Sequence, residues 1–133
     1  MNRTLAILAP ACLIAACAAA PASTGGPVNT TVTLSPTNST AIGAAATLRY
    51  DAVNDSRCPP DVQCIQAGEI SYQFTLHGAG GDEAFALSRA KPSFDGARNR
   101  GVHIALSQAA DPPRVAASAP VPAHPVTVTI TAN

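Results

Sequence analysis

Apolar and polar residues alternate with a period of two in several short stretches of this chain. The clearest stretch runs from Ile70 to His77, where every second residue is apolar and every intervening residue is polar. Such alternation is typical of a β-strand that buries one face. The same pattern predicts further strands, cleanly at 28–34, 102–107 and 126–131 and less cleanly at 46–53 and 83–88.

The rest of the chain indicates turns and loops. No stretch holds a helical period, and turn-forming residues separate the strands at 35–38, 78–82 and 95–96. Residues 108–125 contain five prolines, which exclude this segment from a central strand and favour a loop or an extended segment along an edge. Six to seven short antiparallel strands must pair their apolar faces. We therefore predict an all-β domain, a small antiparallel β-sandwich that is either immunoglobulin-like or a partly open barrel.

The first residues have the order of a secretory signal. One positive charge, Arg3, precedes an apolar run from Leu5 to Ala16, which is shorter than the roughly 20 residues that a spanning helix needs. Cys17 ends that run behind two alanines, an arrangement that resembles the lipobox of bacterial lipoproteins. The resemblance implies cleavage before Cys17, diacylglycerol on its sulfur and acylation of the new amino terminus. The alternative is an ordinary signal cut after Ala22, which would release a soluble protein.

Lipidation at Cys17 would divide the chain into three parts. Residues 1–16 form a lipoprotein signal peptide, residues 17–27 form the lipidated cysteine and a flexible tether, and residues 28–133 form one β domain. The expected location is the bacterial cell envelope, in an oxidising compartment. Ala18 follows the cysteine in place of an aspartate, which by resemblance favours the outer membrane in a cell that has one.

The charge balance narrows the range of partners. The chain has eight basic and eight acidic residues, and loss of Arg3 with the signal leaves a net charge of −1. No basic stripe or run is present, which argues against nucleic acid as a partner and against electrostatic docking to a membrane. The expected partners are the membrane, through the lipid anchor, and an envelope protein or a small ligand.

The cysteines predict one disulfide in the β domain. Cys12 leaves with the signal and Cys17 carries lipid, so Cys58 and Cys64 remain as an even pair in an oxidising compartment. Their spacing is not that of a C-x-x-C redox pair. The bridge would staple the loop formed by residues 55–68.

Two interpretations of loop 55–68 stay open. In the first, the loop is a stapled crossover between strands, in which Arg57 contacts a neighbouring carboxylate: Asp55, Asp61 or Glu69. In the second, the rigid loop displays Arg57 and Val62 to a partner, because preorganisation lowers the ordering cost of binding.

The same loop resembles the D-S-R-C-P-x-x-V-x-C-x-W-A-G signature of a family of small, uncharacterised bacterial secreted proteins and lipoproteins. Asp55, Arg57 and Val62 match that signature, while Gln66 stands where the family usually has tryptophan. We take these four residues as the candidate partner-binding set. The resemblance is specific over the loop and looser over the rest of the domain, and it implies no activity.

Motifs for catalysis or metal binding are not found in the sequence. The chain lacks a G-x-S-x-G elbow, a phosphate-binding glycine loop and an H-E-x-x-H zinc motif. His77, His103 and His124 are expected to be solvated surface residues. We therefore expect no catalytic residues, no metal and no cofactor.

Together these features predict a lipid-anchored envelope protein that serves as a non-catalytic binding or structural module. The first alternative is an inhibitor or ligand-binding lipoprotein that acts through loop 55–68. The second alternative is a small envelope enzyme.

Overall fold

The computed structural model describes residues 26–133, so the predicted signal peptide, Cys17 and the predicted tether up to residue 25 lie outside the described residues. The described part has no helix and forms two four-stranded antiparallel sheets, ordered β1-β8-β7-β6 and β2-β3-β4-β5. The prediction of an all-β, sandwich-like domain is confirmed, and the sheets stay open at their edges. The strands are β1 (Val28–Leu34), β2 (Ser39–Ile42), β3 (Ala46–Asp55), β4 (Ile70–Gly78), β5 (Glu83–Leu87), β6 (Ser93–Asp95), β7 (Val102–Leu106) and β8 (Val126–Ala132).

The core consists of the strand faces that the alternation assigns to it. On β4 the apolar residues at 70, 72, 74 and 76 are all buried, and the less regular β3 and β5 bury Leu48, Tyr50, Phe85 and Leu87. The rings of Phe85 and Phe94 stack with centroids 3.9 Å apart, which joins β5 of one sheet to β6 of the other. Full burial of one large apolar side chain stabilises the fold by about 1.5–3 kcal/mol, so this shared core is the main stabilising element.

Two strands were not predicted from the sequence. β2 pairs with β3 through four residues and β6 pairs with β7 through three. Segments of this length are too short to show a period of two, so the neighbouring strand determines them rather than their own pattern. They bring the observed number of strands to eight, against six to seven predicted.

The strand directions give the sandwich two opposite ends. Gly26, Ala46, Val102 and Asn133 border one cleft of about 320 Å³, where the described chain begins and ends; we call this the proximal end. β3 and β4 run from there to the pair Asp55–Ile70. Residues 56–69 and 107–125 connect strands at that opposite end, which we call the distal end. Ten residues of β3 at about 3.3 Å each separate the two ends by roughly 30 Å.

Candidate functional site at the distal end

The neck of loop 55–68 continues the pairing of β3 with β4. The Ser56 amide donates to the Glu69 carbonyl at 2.9 Å, and the Cys58 amide donates to the Ala67 carbonyl at 3.1 Å. Gly68 lies in the left-handed region, with φ of 63°, and a Cβ there would lie 1.9 Å from the Ser56 carbonyl oxygen. Only glycine fits this position, because any side chain would push the two strands of the neck apart.

The predicted disulfide closes the tip of this loop. Cys58 and Cys64 are bonded, with Cα atoms 5.8 Å apart. Inside the ring, the Val62 amide approaches the Pro59 carbonyl at 3.4 Å. The neck and the bridge tie the two sides of the loop together, which lowers the ordering cost of binding a partner.

All three guanidinium nitrogens of Arg57 form hydrogen bonds within the protein. Its Nε and Nη2 donate to the two carboxylate oxygens of Asp55 at 2.8 and 2.6 Å, and its Nη1 donates to the Pro112 carbonyl at 2.7 Å. The side chains of Arg57 and Asp55 are 12% and 19% exposed. The bidentate contact lowers the pKa of Asp55 and raises that of Arg57. The sequence left Asp55, Asp61 and Glu69 open as partners of Arg57, and the partner in the structure is Asp55.

The Pro-rich segment 108–125 lies over the loop and is bonded to it at three points. Besides Arg57 with Pro112, Arg114 Nη1 donates to the Cys58 carbonyl at 3.1 Å. The Ala117 amide donates to Asp61 Oδ1 at 2.9 Å. These bonds join positions more than 50 residues apart, and each of them uses one backbone group. No local sequence pattern therefore predicts them.

His124 is buried, contrary to the prediction that it is a solvated surface residue. Only 3% of it is exposed, and its backbone carbonyl accepts a hydrogen bond of 2.9 Å from the Tyr50 hydroxyl inside the core. Burial raises the pKa of Tyr50, which keeps this phenol protonated as a donor. The Nε2 atom of His124 lies 3.7 Å from Asp55 Oδ2, beyond hydrogen-bond distance.

A groove of about 360 Å³ separates the loop from the Pro-rich segment. Its polar lining comes from Asn54, Asp55, Arg57, Arg114 and His124. Its apolar lining consists of valine, proline and alanine side chains: Val53, Pro59, Val115, Ala116, Ala117, Ala119, Val121 and Pro122. The arrangement suits a ligand with one polar group and a short aliphatic part.

The tip of the loop exposes apolar side chains. Ile65 is fully exposed and Val62 is 45% exposed, while Gln66 between the ring and the neck is exposed as well. Of the candidate partner-binding set, Val62 and Gln66 are therefore accessible, whereas Asp55 and Arg57 are held in the base of the loop. The candidate set did not include Ile65. Its position next to Cys64 in a polar loop was the sequence signal that could have identified it as an exposed apolar residue.

The other two histidines lie on different sheets. His77 Nδ1 lies 2.8 Å from Asp82 Oδ1 on the side of β4, and His103 Nδ1 lies 2.7 Å from Asp95 Oδ1 on the side of β7. In residues 26–133, no group of three or more His, Cys, Asp or Glu side chains is placed to hold a metal ion. The same residues include no helix that is long and apolar enough to cross a membrane.

Comparison with known proteins finds no matching family model, curated protein or solved structure.

Proposed function

We propose that this protein is a lipid-anchored, non-catalytic binding module of the bacterial cell envelope that engages its partner through the distal end. One observation carries the proposal: a disulfide-stapled loop presents the exposed apolar residues Val62 and Ile65 at the end opposite to the start of the described chain. An apolar side chain presented on a stapled loop can bind a protein partner at a low ordering cost.

The anchor follows from Cys17, whose setting resembles a lipobox. Residues 17–27 reach up to roughly 35 Å when extended, and they join the domain at its proximal end. The domain adds roughly 30 Å of strand length beyond that point. An anchored molecule would therefore hold loop 55–68 away from its own membrane, where it meets other envelope proteins or soluble ligands rather than lipid.

The exposure of Val62 and Ile65 is the feature that supports a binding role beyond a structural one. The Arg57–Asp55 contact, the neck and the disulfide already stabilise the crossover, and none of them requires Val62 or Ile65 to be apolar. Exposing these two side chains serves no packing purpose in the described domain. The loop's resemblance to the signature of small secreted proteins and lipoproteins is in keeping with an extracytoplasmic role and stays a prediction.

Site-specific photo-crosslinking in the native membrane tests this proposal. A crosslinking amino acid at position 65 is expected to give a discrete protein adduct. The same amino acid at position 44, on the proximal end, should give no adduct of that mass. The adduct should disappear when Val62 is replaced by serine. No adduct at position 65, or identical adducts from positions 65 and 44, would contradict the proposal.

A further inference from the structure

His124 is a buried polar side chain whose ring has no hydrogen-bond partner among the described residues. The nearest carboxylate recorded for it is that of Asp55, whose Oδ2 lies 3.7 Å from Nε2. Only 4% of the side chain is exposed, and the open space beside it is the distal groove. The only buried side-chain polar atom without a partner in the described residues is Asp111 Oδ1, so the His124 ring nitrogens are not closed off. His124 lines the groove, and its ring is therefore accessible to a ligand that enters there.

The groove has more hydrogen-bond donors than acceptors to spare. All three nitrogens of Arg57 and both oxygens of Asp55 are engaged with each other or with Pro112. Arg114 uses one N–H, toward the Cys58 carbonyl, and a guanidinium has five. Because Arg57 balances the charge of Asp55, the lining carries the positive charge of Arg114. A ligand with an anionic acceptor group matches this inventory.

A carboxylate fits these donors better than a larger or more highly charged anion. A guanidinium binds the two oxygens of a carboxylate as a fork, and an imidazole N–H can donate to one of them. The remaining lining is aliphatic and small, from Pro59, Val115, Val121 and Pro122. The volume of about 360 Å³ lies at the lower end of the range for small-molecule sites.

We infer that the distal groove binds the free carboxylate of a short aliphatic peptide, through Arg114 and His124. This inference rests on the proposed function, since it takes the distal end as the binding element, and it adds the chemical class of ligand. The carboxylate would lie between the guanidinium and the imidazole, and the aliphatic residues of the peptide would lie against the valines and prolines of the segment.

The test uses the full chain and a matched pair of probes. N-acetyl-Ala-Ala with a free carboxylate is titrated against the protein, and the same dipeptide with a C-terminal amide serves as the control. Imidazole signals in NMR report the site, because the chain has only His77, His103 and His124. We expect a saturable shift of the His124 signals with the carboxylate, while His77 and His103 at their aspartates stay unchanged. The amide should bind at least about tenfold more weakly, since a charge-assisted contact is lost.

Variants of two arginines separate the groove from general charge attraction. Arg114→Gln should weaken binding of the carboxylate by about tenfold. Arg100→Gln removes the same charge at the proximal end and should change nothing. Equal binding of carboxylate and amide, equal effects of the two variants, or no shift of His124 would overturn the inference. Inorganic phosphate that binds as tightly as the dipeptide would also overturn it, in favour of an unselective anion site.

The outcome is independent of the photo-crosslinking experiment. A His124 ring that does not respond, together with a retained adduct at position 65, rejects the carboxylate site and leaves the proposed function standing. A saturable shift of His124 without an adduct at position 65 supports the carboxylate site and rejects the exposed tip of the loop as a protein-binding surface.

Discussion

Arg57 binds both carboxylate oxygens of Asp55 and, with its third nitrogen, the carbonyl of Pro112. One side chain thus connects the end of β3, the stapled loop and the Pro-rich segment. The Arg57 side chain is 12% exposed, so its charge stabilises the base of the loop rather than facing a partner. This arrangement favours the stapled-crossover interpretation for Arg57 and leaves the exposed tip, with Val62 and Ile65, as the proposed binding surface.

Replacement of Arg57 by alanine should lower the free energy of unfolding by about 2 kcal/mol, because a charge-assisted pair and a bond to a backbone carbonyl are lost together. Denaturant unfolding measures this change. Arg49→Ala is the control, since Arg49 is 51% exposed and its pair with Asp51 lies at the surface. That variant should cost less than about 1 kcal/mol. A loss no larger for Arg57 than for Arg49 would contradict the structural role of Arg57.

Gly68→Ala should be more destabilising than Gly43→Ala, although both glycines have a positive φ. The values are 63° and 57°, so the backbone strain of a left-handed alanine, about 1 kcal/mol, is common to both. At Gly43 the nearest atom to a new Cβ is a side-chain carbon at 3.7 Å, whereas at Gly68 the Ser56 carbonyl blocks it. In denaturant unfolding, we expect Gly68→Ala to lower the free energy of unfolding by at least about 1 kcal/mol more than Gly43→Ala does. Equal losses in the free energy of unfolding would contradict the close approach of the Ser56 carbonyl to Gly68.

Removal of the disulfide should destabilise the protein moderately and loosen the loop locally. The chain-entropy relation gives about 2.4 kcal/mol for a loop of this length. Replacement of Cys58 and Cys64 by serine should therefore lower the melting temperature and increase amide hydrogen exchange at residues 56–69, while β7 and β8 keep their protection. A reducing agent should lower the melting temperature of the parent protein and leave that of the double variant unchanged. Equal loss of protection across both sheets would contradict a local role.

The hydrogen bonds of the Glu83 carboxylate should make the free energy of unfolding fall in acid. Its carboxylate accepts the backbone N–H groups of Arg98, Asn99 and Ala97 and the Asn99 amide, which lowers the pKa of Glu83 from 4.5 to about 2. A pKa that is lower in the folded state contributes stability above the unfolded value, and this contribution is lost as the pH falls from about 4.5 toward 2.

The Glu83→Gln variant should show a flatter pH dependence of unfolding over that interval. Part of the acid loss will remain, because Arg57 also lowers the pKa of Asp55. Glu69→Gln is the control, since no side-chain hydrogen bond of Glu69 is present in the described residues. It should keep the pH profile of the parent protein. A parent-like profile in Glu83→Gln would contradict the role of Glu83 in the β6–β7 connection.

The sequence predicts the elements that depend on local pattern and misses those that depend on distant neighbours. Alternation at residues 70–77 assigns both faces of β4, and the pair Cys58–Cys64 follows from cysteine count and compartment. β2 and β6 are too short to carry a period. His124 is buried beside Tyr50, which lies 74 positions earlier and donates to its carbonyl, and nothing near residue 124 encodes that contact.

The candidate site shows the same division. Loop 55–68 stands out in the sequence through its cysteines and prolines, whereas the groove needs residues 108–125 to fold back over it. Those contacts use backbone carbonyls and amides, which every residue has, so composition gives no sign of them. The sequence predicts a loop or an extended segment along an edge for residues 108–125, and it gives no sign that this segment forms one wall of the groove.

The most direct test of a lipid-anchored module with a stapled distal loop is the intact mass of the protein purified from its own membranes, before and after reduction and thiol alkylation. We predict the mass of residues 17–133 plus acyl chains, with two alkylated thiols only after reduction. A mass without acyl chains would contradict the membrane anchor. Alkylation before reduction would contradict the Cys58–Cys64 staple on which the binding loop depends.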